Sequence, residues 1–397
     1  MESTTVSFPL RDPGGTSVRS RIAAAGPANL FLAEAYEYDL PPALIAQQPL
    51  EERDHSRLMV LERVSGRRVD SKFHTIRDFL RDGDLIVVNN SKVFPARIVG
   101  RKASGGRVEL LLLRPCLPEG GDLDVCQGED YPPGPDWECL IRTSARIRPG
   151  QKFFFPEDVQ GEVVERPDPR VWKVRFNKGG PDFFPFLERF GLTPLPPYIK
   201  RGEAAEPDSD LLRDRQRYQT VFAKRLGSAA APTAGFHFSE ALCRCLREAG
   251  IGFAEVTLHV GESTFLPIRA CDIRDHQVRA ERVFVSQAAA AEIQAAKQDG
   301  RRVVAVGTTV VRCLESVVAG KGKLVAGAGW ADLYITPGFR FQVVDALLTN
   351  FHLPRSSLLV LVCAFAGRES VMEAYREAVQ RGYRFFSYGD CMLIQTG

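Results

Sequence analysis

From Tyr36 onward the hydrophobic positions fall in short blocks whose period changes twice along the chain. Up to Asn89 helical and strand patterns alternate: Pro42 to Gln47 and Thr75 to Arg81 predict helices, Arg57 to Arg63 and Asp84 to Asn89 predict strands. The next stretch differs, with short β-rich segments separated by turn residues. Ala96 to Lys102 and Arg107 to Arg114 flank Ser104-Gly105-Gly106, whose glycines supply the positive φ of a tight hairpin turn. Trp137 to Thr143, Lys152 to Phe155, Gly161 to Arg166 and Val171 to Asn177 follow as short strands between turn residues, the pattern of a small antiparallel barrel ending near Leu192. Pro194-Leu-Pro-Pro-Tyr198 is a stiff connector, because consecutive prolines hold extended geometry and donate nothing to a ladder. Beyond it helices are expected at Ser239 to Ala249, Ser286 to Asp299, Val310 to Ala319 and Ser370 to Arg381. Strands are expected at Gly252 to His259, Arg302 to Val306 and Leu358 to Cys363.

This order predicts the α/β class: a layered α/β domain with an inserted small antiparallel β-barrel. The expected divisions are a flexible extension over 1–33, a first α/β segment over 34–91, the barrel over 92–192 and a second α/β segment over 193–397. The extension is rich in Ser, Thr, Gly, Pro and Arg and has no sustained period.

Charge changes the picture only locally. With 52 Lys plus Arg against 49 Asp plus Glu, a nucleic-acid partner must be met by patches, not by a global field. Candidate patches are Arg97, Arg101, Lys102 and Arg107 at the first hairpin, Arg142, Arg146, Arg148 and Lys152 nearby, and Arg213, Arg215, Arg217, Lys224 and Arg225 before Gly227. A solvated face is the ordinary explanation of each patch taken alone. Nine scattered cysteines, an odd number without a C-x-x-C pair, fit a reducing cytoplasm better than a disulfide framework or structural zinc. No apolar run reaches eighteen residues, so a soluble protein without a membrane span is expected.

Candidate chemistry sits where predicted strands end. Arg302 to Val306 leads into Gly307-Thr308-Thr309 and a helix, which offers free N–H groups to an anion; a capped tight turn is the plain alternative. Neither a Walker loop nor a G-x-G-x-x-G fingerprint is present. His237 lies in a loop opening a helix, a place that favours neutral imidazole, although a packed structural histidine fits the sequence equally well. His259, Glu262, His276 and Glu281 are spaced to converge as imidazole and carboxylate. Asp345, Thr349, Asn350 and His352 crowd one short apolar-bounded segment and need partners or a substrate.

Taken in order, several segments resemble the S-adenosylmethionine:tRNA ribosyltransferase-isomerase family of queuosine biosynthesis. They run from Tyr38-Asp-Leu-Pro-Pro-Ala-Leu-Ile-Ala-Gln47 through Asn89-Asn90, Pro194 to Arg201, Arg217-Tyr-Gln-Thr220 and Ala231-Pro-Thr-Ala-Gly235. They continue with Ala305-Val-Gly-Thr-Thr309, Leu348-Thr-Asn-Phe-His-Leu-Pro354, Ala364-Phe-Ala-Gly367 and Tyr383 to Asp390. The resemblance implies transfer of the ribosyl part of S-adenosylmethionine to 7-aminomethyl-7-deazaguanine in a tRNA anticodon, with isomerisation to an epoxycyclopentane and loss of adenine and methionine. It implies S-adenosylmethionine as cosubstrate, no metal or further cofactor, a tRNA with a GUN anticodon, and a cytoplasmic monomer.

On that resemblance His237, His276, Asp345 and His352 are expected to supply acid–base and orienting groups. Gly307, Thr308 and Thr309 are expected to hold the methionyl carboxylate, with Thr233, Gly235 and Asn350 also binding substrate and Tyr218 and Tyr388 serving as base-stacking platforms. Arg97, Arg101, Arg142, Arg146 and Arg217 are the expected RNA contacts. Two positions depart from the family pattern: Ser263 stands where a glycine is usual, and Val278 and Arg279 stand where Met and His are usual. Those departures keep two alternatives in view, a related enzyme acting on another RNA or a small molecule, and a non-catalytic RNA-binding relative.

Overall fold

Strands from both ends of the chain share one sheet. The structure, a computed structural model, describes residues 28–116, 134–144, 146–201, 207–261 and 267–396. The N-terminal strands are β1 (Arg57–Glu62), β2 (Arg68–Lys72), β3 (Leu85–Asn89) and the short β4 (Ser91–Val93). Six more follow: β5 (Arg97–Lys102), β6 (Arg107–Pro115), β7 (Asp136–Thr143), β8 (Lys152–Phe154), β9 (Gln160–Asp168) and β10 (Val171–Phe176). After helices α1 (Phe183–Phe190) and α2 (Pro207–Arg217) come β11 (Arg225–Ser228), α3 (Glu240–Glu248), β12 (Gly252–Leu258), β13 (Glu281–Val285), α4 (Gln287–Gln298) and β14 (Val303–Val306). The chain ends with α5 (Thr308–Lys321), β15 (Gly327–Ala331), β16 (Ala346–Asn350), α6 (Ser357–Ala366), α7 (Arg368–Gln380) and β17 (Cys391–Gln395).

The large sheet has nine strands in the order β15-β13-β12-β3-β14-β16-β17-β1-β2, and β12, β3, β14 and β16 run parallel. Its central strands are apolar on both faces because both are covered. Leu85, Val87, Val303, Ala305 and Leu347 face the layer that contains α4 to α7, while Ile86, Val88, Val304, Val306 and Leu348 face α3 and the 3₁₀ turn Phe73–Phe79. A buried ion pair staples the amino-terminal edge. Arg302 donates to Asp84 from Nε at 2.9 Å and from Nη2 at 2.5 Å, and reaches Gln395 at the end of β17 at 3.0 Å, so one guanidinium ties three strands.

The six strands β10-β7-β6-β5-β8-β9 close into a barrel. Val108, Leu110 and Leu112 of β6 point inward with Ile98, Val163 and Val174, and Phe183, Phe186 and Leu187 of α1 join the same core. Gly100 lets β5 pass beside β8: a Cβ there would sit 2.6 Å from the Phe154 carbonyl oxygen. Against the large sheet the barrel is held by charge. Arg279 pairs with Asp168 at 2.9 Å and Glu138 at 3.8 Å, both on barrel strands, while Arg114 bonds Glu138 at 2.9 Å and lies 5.0 Å from the Trp330 ring. The departure at Arg279 is thus a clasp between barrel and sheet.

Several expectations change. Leu358 to Cys363 belongs to helix α6, not to a strand: Ser356 caps it by accepting from Leu359 N–H at 3.2 Å, and a continuous apolar run is compatible with a buried helix or a buried strand. The helices expected at Pro42 and Thr75 are 3₁₀ turns, Pro42–Leu44 and Phe73–Phe79. Residues 28–33, expected within the flexible extension, form part of the fold: Ala33 is buried and its N–H bonds the Cys271 carbonyl at 2.8 Å. Residues 1–27 lie outside the described residues.

Asp84→Asn leaves the Arg302 guanidinium buried without its counter-charge. The variant is expected to lose about 3–5 kcal/mol in urea unfolding; a loss under 1 kcal/mol would show that the staple is not needed.

Candidate active site

Open parallel sheets bind ligands beyond the carboxyl ends of their strands. Here the ends of β14 and β16 open into a cavity walled by Gly307–Thr309, Thr349–Leu353, Thr233 and its neighbours, Tyr198 and Phe386–Ser387. Gly307 makes the turn from β14 into α5 at φ 92°, a conformation that favours glycine, and its N–H bonds the Leu348 carbonyl at 2.7 Å. Thr308 and Thr309, the first residues of α5, line the cavity, and their N–H groups lie ahead of the first intrahelical bond. Thr309 is buried and its hydroxyl has no hydrogen-bond partner among the described residues. Positive dipole and an idle hydroxyl together suit an anionic group.

Asn350 ends β16 fully engaged. Its amide nitrogen donates to the Phe386 carbonyl at 3.0 Å and to His237 Nε2 at 3.3 Å, and its oxygen accepts from the Thr233 hydroxyl at 3.4 Å. His237 Nε2 is therefore the acceptor nitrogen, and Nδ1 carries the proton toward Ser56 Oγ at 2.7 Å. Burial pushes the His237 pKa down to about 3, and the charges of Arg53 and Arg384 act in the same direction. The ring is neutral, with both nitrogens occupied behind Asn350.

His352 is the histidine that reaches the cavity. Its Nε2 bonds the Thr349 hydroxyl at 2.8 Å, its N–H donates to the Tyr375 hydroxyl at 3.0 Å and its carbonyl accepts from Tyr38 at 2.5 Å. Desolvation lowers its pKa to about 3. The residue is held at three points, two through its backbone and one through Nε2, and no described residue bonds Nδ1. Facing it, Phe386 holds φ 70°, strained for a residue with a side chain, and Tyr198 packs on it at 4.7 Å while bonding Ser387 at 2.6 Å.

A model of the family described as queuosine biosynthesis protein matches residues 33–394. The chain belongs to that family. It is 50% identical over 359 residues to a protein of Syntrophotalea carbinolica and 47% identical over 359 residues to one of Geotalea uraniireducens. Each alignment covers 90% of this chain and 98% of the relative, and both relatives are named S-adenosylmethionine:tRNA ribosyltransferase-isomerase. The crystal structure of S-adenosylmethionine tRNA ribosyltransferase from Thermotoga maritima is 35% identical, covers 91% of this chain and 99% of its own, and aligns at TM-score 0.49.

Of the expected site residues, the fold gathers Thr233, Gly307, Thr308, Thr309, Asn350 and His352 at the cavity. It does not bring Asp345 there. That carboxylate precedes β16 at the opposite strand ends, accepting from Val303 N–H at 2.9 Å and Lys297 at 2.7 Å. His276 sits half-buried against Tyr334, ring centroids 5.6 Å apart, outside the cavity wall. Gly235 faces Thr220, whose Cγ2 a Cβ would meet at 2.8 Å, so its role is close packing. Tyr218 and Tyr388 are 0% and 4% exposed and packed around Phe236, which leaves no free face for a base. Glu281 forms a buried ion pair with Arg312 and accepts from Gly261 N–H at 2.9 Å; Glu262 and Ser263 lie outside the described residues. Among the expected RNA contacts, Arg101, Arg142 and Arg146 are exposed, Arg97 faces Glu109 at 3.7 Å, and Arg217 bonds the carbonyls of Leu50 and Glu51.

Tyr198, Ser387 and Phe386 escaped selection although each stood inside a quoted motif. Ser56 carried no sequence signal, being an isolated serine before a strand.

The low pKa of His237 has a consequence for stability. The unfolded chain binds a proton near pH 6.5 and the folded chain does not, so this contribution is complete above that pH and is lost as pH falls toward 3. Between pH 6.5 and 5 it removes about 2 kcal/mol. In urea unfolding, His237→Asn should lose that much less than the wild type over this interval; equal losses would contradict a neutral His237.

Proposed function

We propose that the chain transfers and isomerises the ribosyl moiety of S-adenosylmethionine onto 7-aminomethyl-7-deazaguanine at the wobble position of a tRNA with a GUN anticodon. The products are epoxyqueuosine in the tRNA, adenine and methionine. The observation that carries this reading is the match to relatives of that activity over nine-tenths of the chain, at 47–50% identity. We place the protein in the cytoplasm as a monomer, with S-adenosylmethionine as its one cosubstrate and no metal.

The cavity supports the chemistry. A sulfonium makes the neighbouring carbon acidic, and a base beside it must be unprotonated at neutral pH; His352 is so through desolvation, which also weakens it as a base and leaves the acidity of that carbon to the sulfonium. The methionyl carboxylate suits the start of α5, where Thr309 Oγ1 and the first N–H groups await an acceptor. Asn350 has both amide hydrogens committed within the protein, which leaves the second lone pair of its oxygen and the Thr233 oxygen as acceptors for the ribose hydroxyls or the adenine amino group. His237 positions Asn350 and does not touch substrate. The apolar walls formed by Phe351, Leu353 and Phe386 exclude water from reactive intermediates.

Adenine release from S-adenosylmethionine, followed by chromatography with and without tRNA bearing 7-aminomethyl-7-deazaguanine, tests the reading. Release that requires this tRNA is expected; none from folded protein would contradict it. In the same assay His352→Ala should slow turnover at least about 100-fold, and an unchanged rate would remove it as the base. Thr309→Val keeps the shape and should raise the KM for S-adenosylmethionine about tenfold, the worth of one hydrogen bond, leaving kcat near wild type.

A further inference from the structure

The barrel has two unlike outer faces. Around β9, β10 and the start of β7 the cations are matched: Arg175 bonds Asp136 at 2.7 Å, and Lys173 lies 3.5 Å from Glu165 and 3.7 Å from Asp136. Lys152 of β8 is drawn to Glu162 of β9 at 3.8 Å. The face made by β8, β5, β6 and the end of β7 differs. Strand register sets Arg101 between Phe154 on β8 and Arg107 on β6, and sets Arg142 on β7 opposite Glu109 on β6. Side chains directly opposite one another share a face, so alternation along β6 brings all five to one outer surface. Arg101, Arg107 and Arg142 are exposed, and Arg101 and Arg142 form no ion pair among the described residues. Glu109 is shared between Arg97 at 3.7 Å and Arg107 at 3.9 Å, separations at which pairs open to water contribute little. Phe154 is 37% exposed, a large apolar ring beside a cationic row.

The barrel stands on the same edge of the large sheet as the cavity, because β4 and β5 follow the carboxyl end of β3, the parallel neighbour of β14. The root of the basic face adjoins the cavity wall. Arg97 and Leu192 exchange backbone hydrogen bonds at 3.2 and 2.8 Å, and from Leu192 the chain runs through the proline connector to Tyr198, which walls the cavity. From Arg97 the strand carries Arg101 roughly 13 Å away, about four steps of a helical nucleic-acid strand.

We propose that this face of the barrel receives the sugar–phosphate backbone of the anticodon stem, with Arg101, Arg107 and Arg142 on phosphates and Phe154 against a ribose. The inference rests on the tRNA reading above. A guanidinium fork matches the two unesterified oxygens of a phosphodiester, and cations set on neighbouring strands complement a row of such groups. All three arginines are open to solvent, so the backbone reaches them without rearrangement of the protein. Contacts of this kind carry no sequence information: they fix how the RNA lies, while the cavity selects the base. Their distance from the cavity wall assigns them to the paired stem, several nucleotides from the wobble position.

The test combines Arg101→Gln with Arg142→Gln, since neither side chain is tied to another described residue by an ion pair. Binding of an anticodon stem-loop bearing 7-aminomethyl-7-deazaguanine is measured across salt concentrations, beside a loop-only oligonucleotide with the same base. For the stem-loop the double variant should bind at least about tenfold more weakly, with the slope of log K against log salt reduced by about two. The loop-only oligonucleotide, S-adenosylmethionine and urea should not distinguish it from wild type. Phe154→Ala should weaken stem-loop binding about fivefold, the worth of a small apolar contact, with the slope unchanged. Equal slopes and affinities for wild type and the double variant would overturn the proposal and leave a solvated face. A matching loss on the loop-only oligonucleotide would place the arginines at the loop and overturn the stem assignment. Wild type that binds neither RNA would contradict the tRNA reading itself.

Discussion

A buried carboxamide has two donor hydrogens and an acceptor to satisfy, and Asn350 satisfies them from three different parts of the chain. Because one amide hydrogen goes to the Phe386 carbonyl, the other is directed to His237, which fixes the imidazole tautomer and its bond to Ser56. The loop carrying Thr233 and His237, the turn carrying Phe386 and Ser387, and the end of β16 are thereby held in one arrangement. The cavity is the space those three segments enclose with the start of α5. Loss of the amide would take one hydrogen bond each from His237 Nε2, the Phe386 carbonyl and the Thr233 hydroxyl.

The same economy of polar groups explains the division of labour between histidines. His237 and His352 are both neutral through desolvation, yet only His352 lines the cavity and has a ring nitrogen with no bond to a described residue. Burial alone therefore does not identify a base; the hydrogen-bond partners of each nitrogen do. On the opposite side, the barrel is clasped to the sheet by Arg279, and this accounts for an arginine where the family pattern has histidine without invoking a changed substrate.

Much of the architecture was legible in the chain. The barrel strands were short, β-rich and separated by turn residues, the Ser104-Gly105-Gly106 hairpin announced its turn, and the central strands β3 and β14 were continuous apolar blocks. The failure at α6 is physical: a segment buried all round has no polar face, so its period is invisible and only the Ser356 cap marked it as helix. The site divided along a similar line. Residues at strand ends beside glycine turns, such as Thr309 and Asn350, were found because turns announce themselves. Asp345 was misplaced because it precedes the five-residue strand that Asn350 ends, and linear proximity conceals that they lie at opposite ends. Tyr218 and Tyr388 were misread because an aromatic ring in a motif looks the same whether it packs or stacks.

The central claim is that a fixed amide holds neutral imidazoles at the ends of the central strands. Side-chain nitrogen NMR of histidine-labelled protein, titrated from pH 7.5 to 5, reads this directly. The account predicts that the His237 and His352 signals stay neutral throughout, with the His237 proton on Nδ1. Titration of either ring near pH 6.5, or a proton on His237 Nε2, would contradict it.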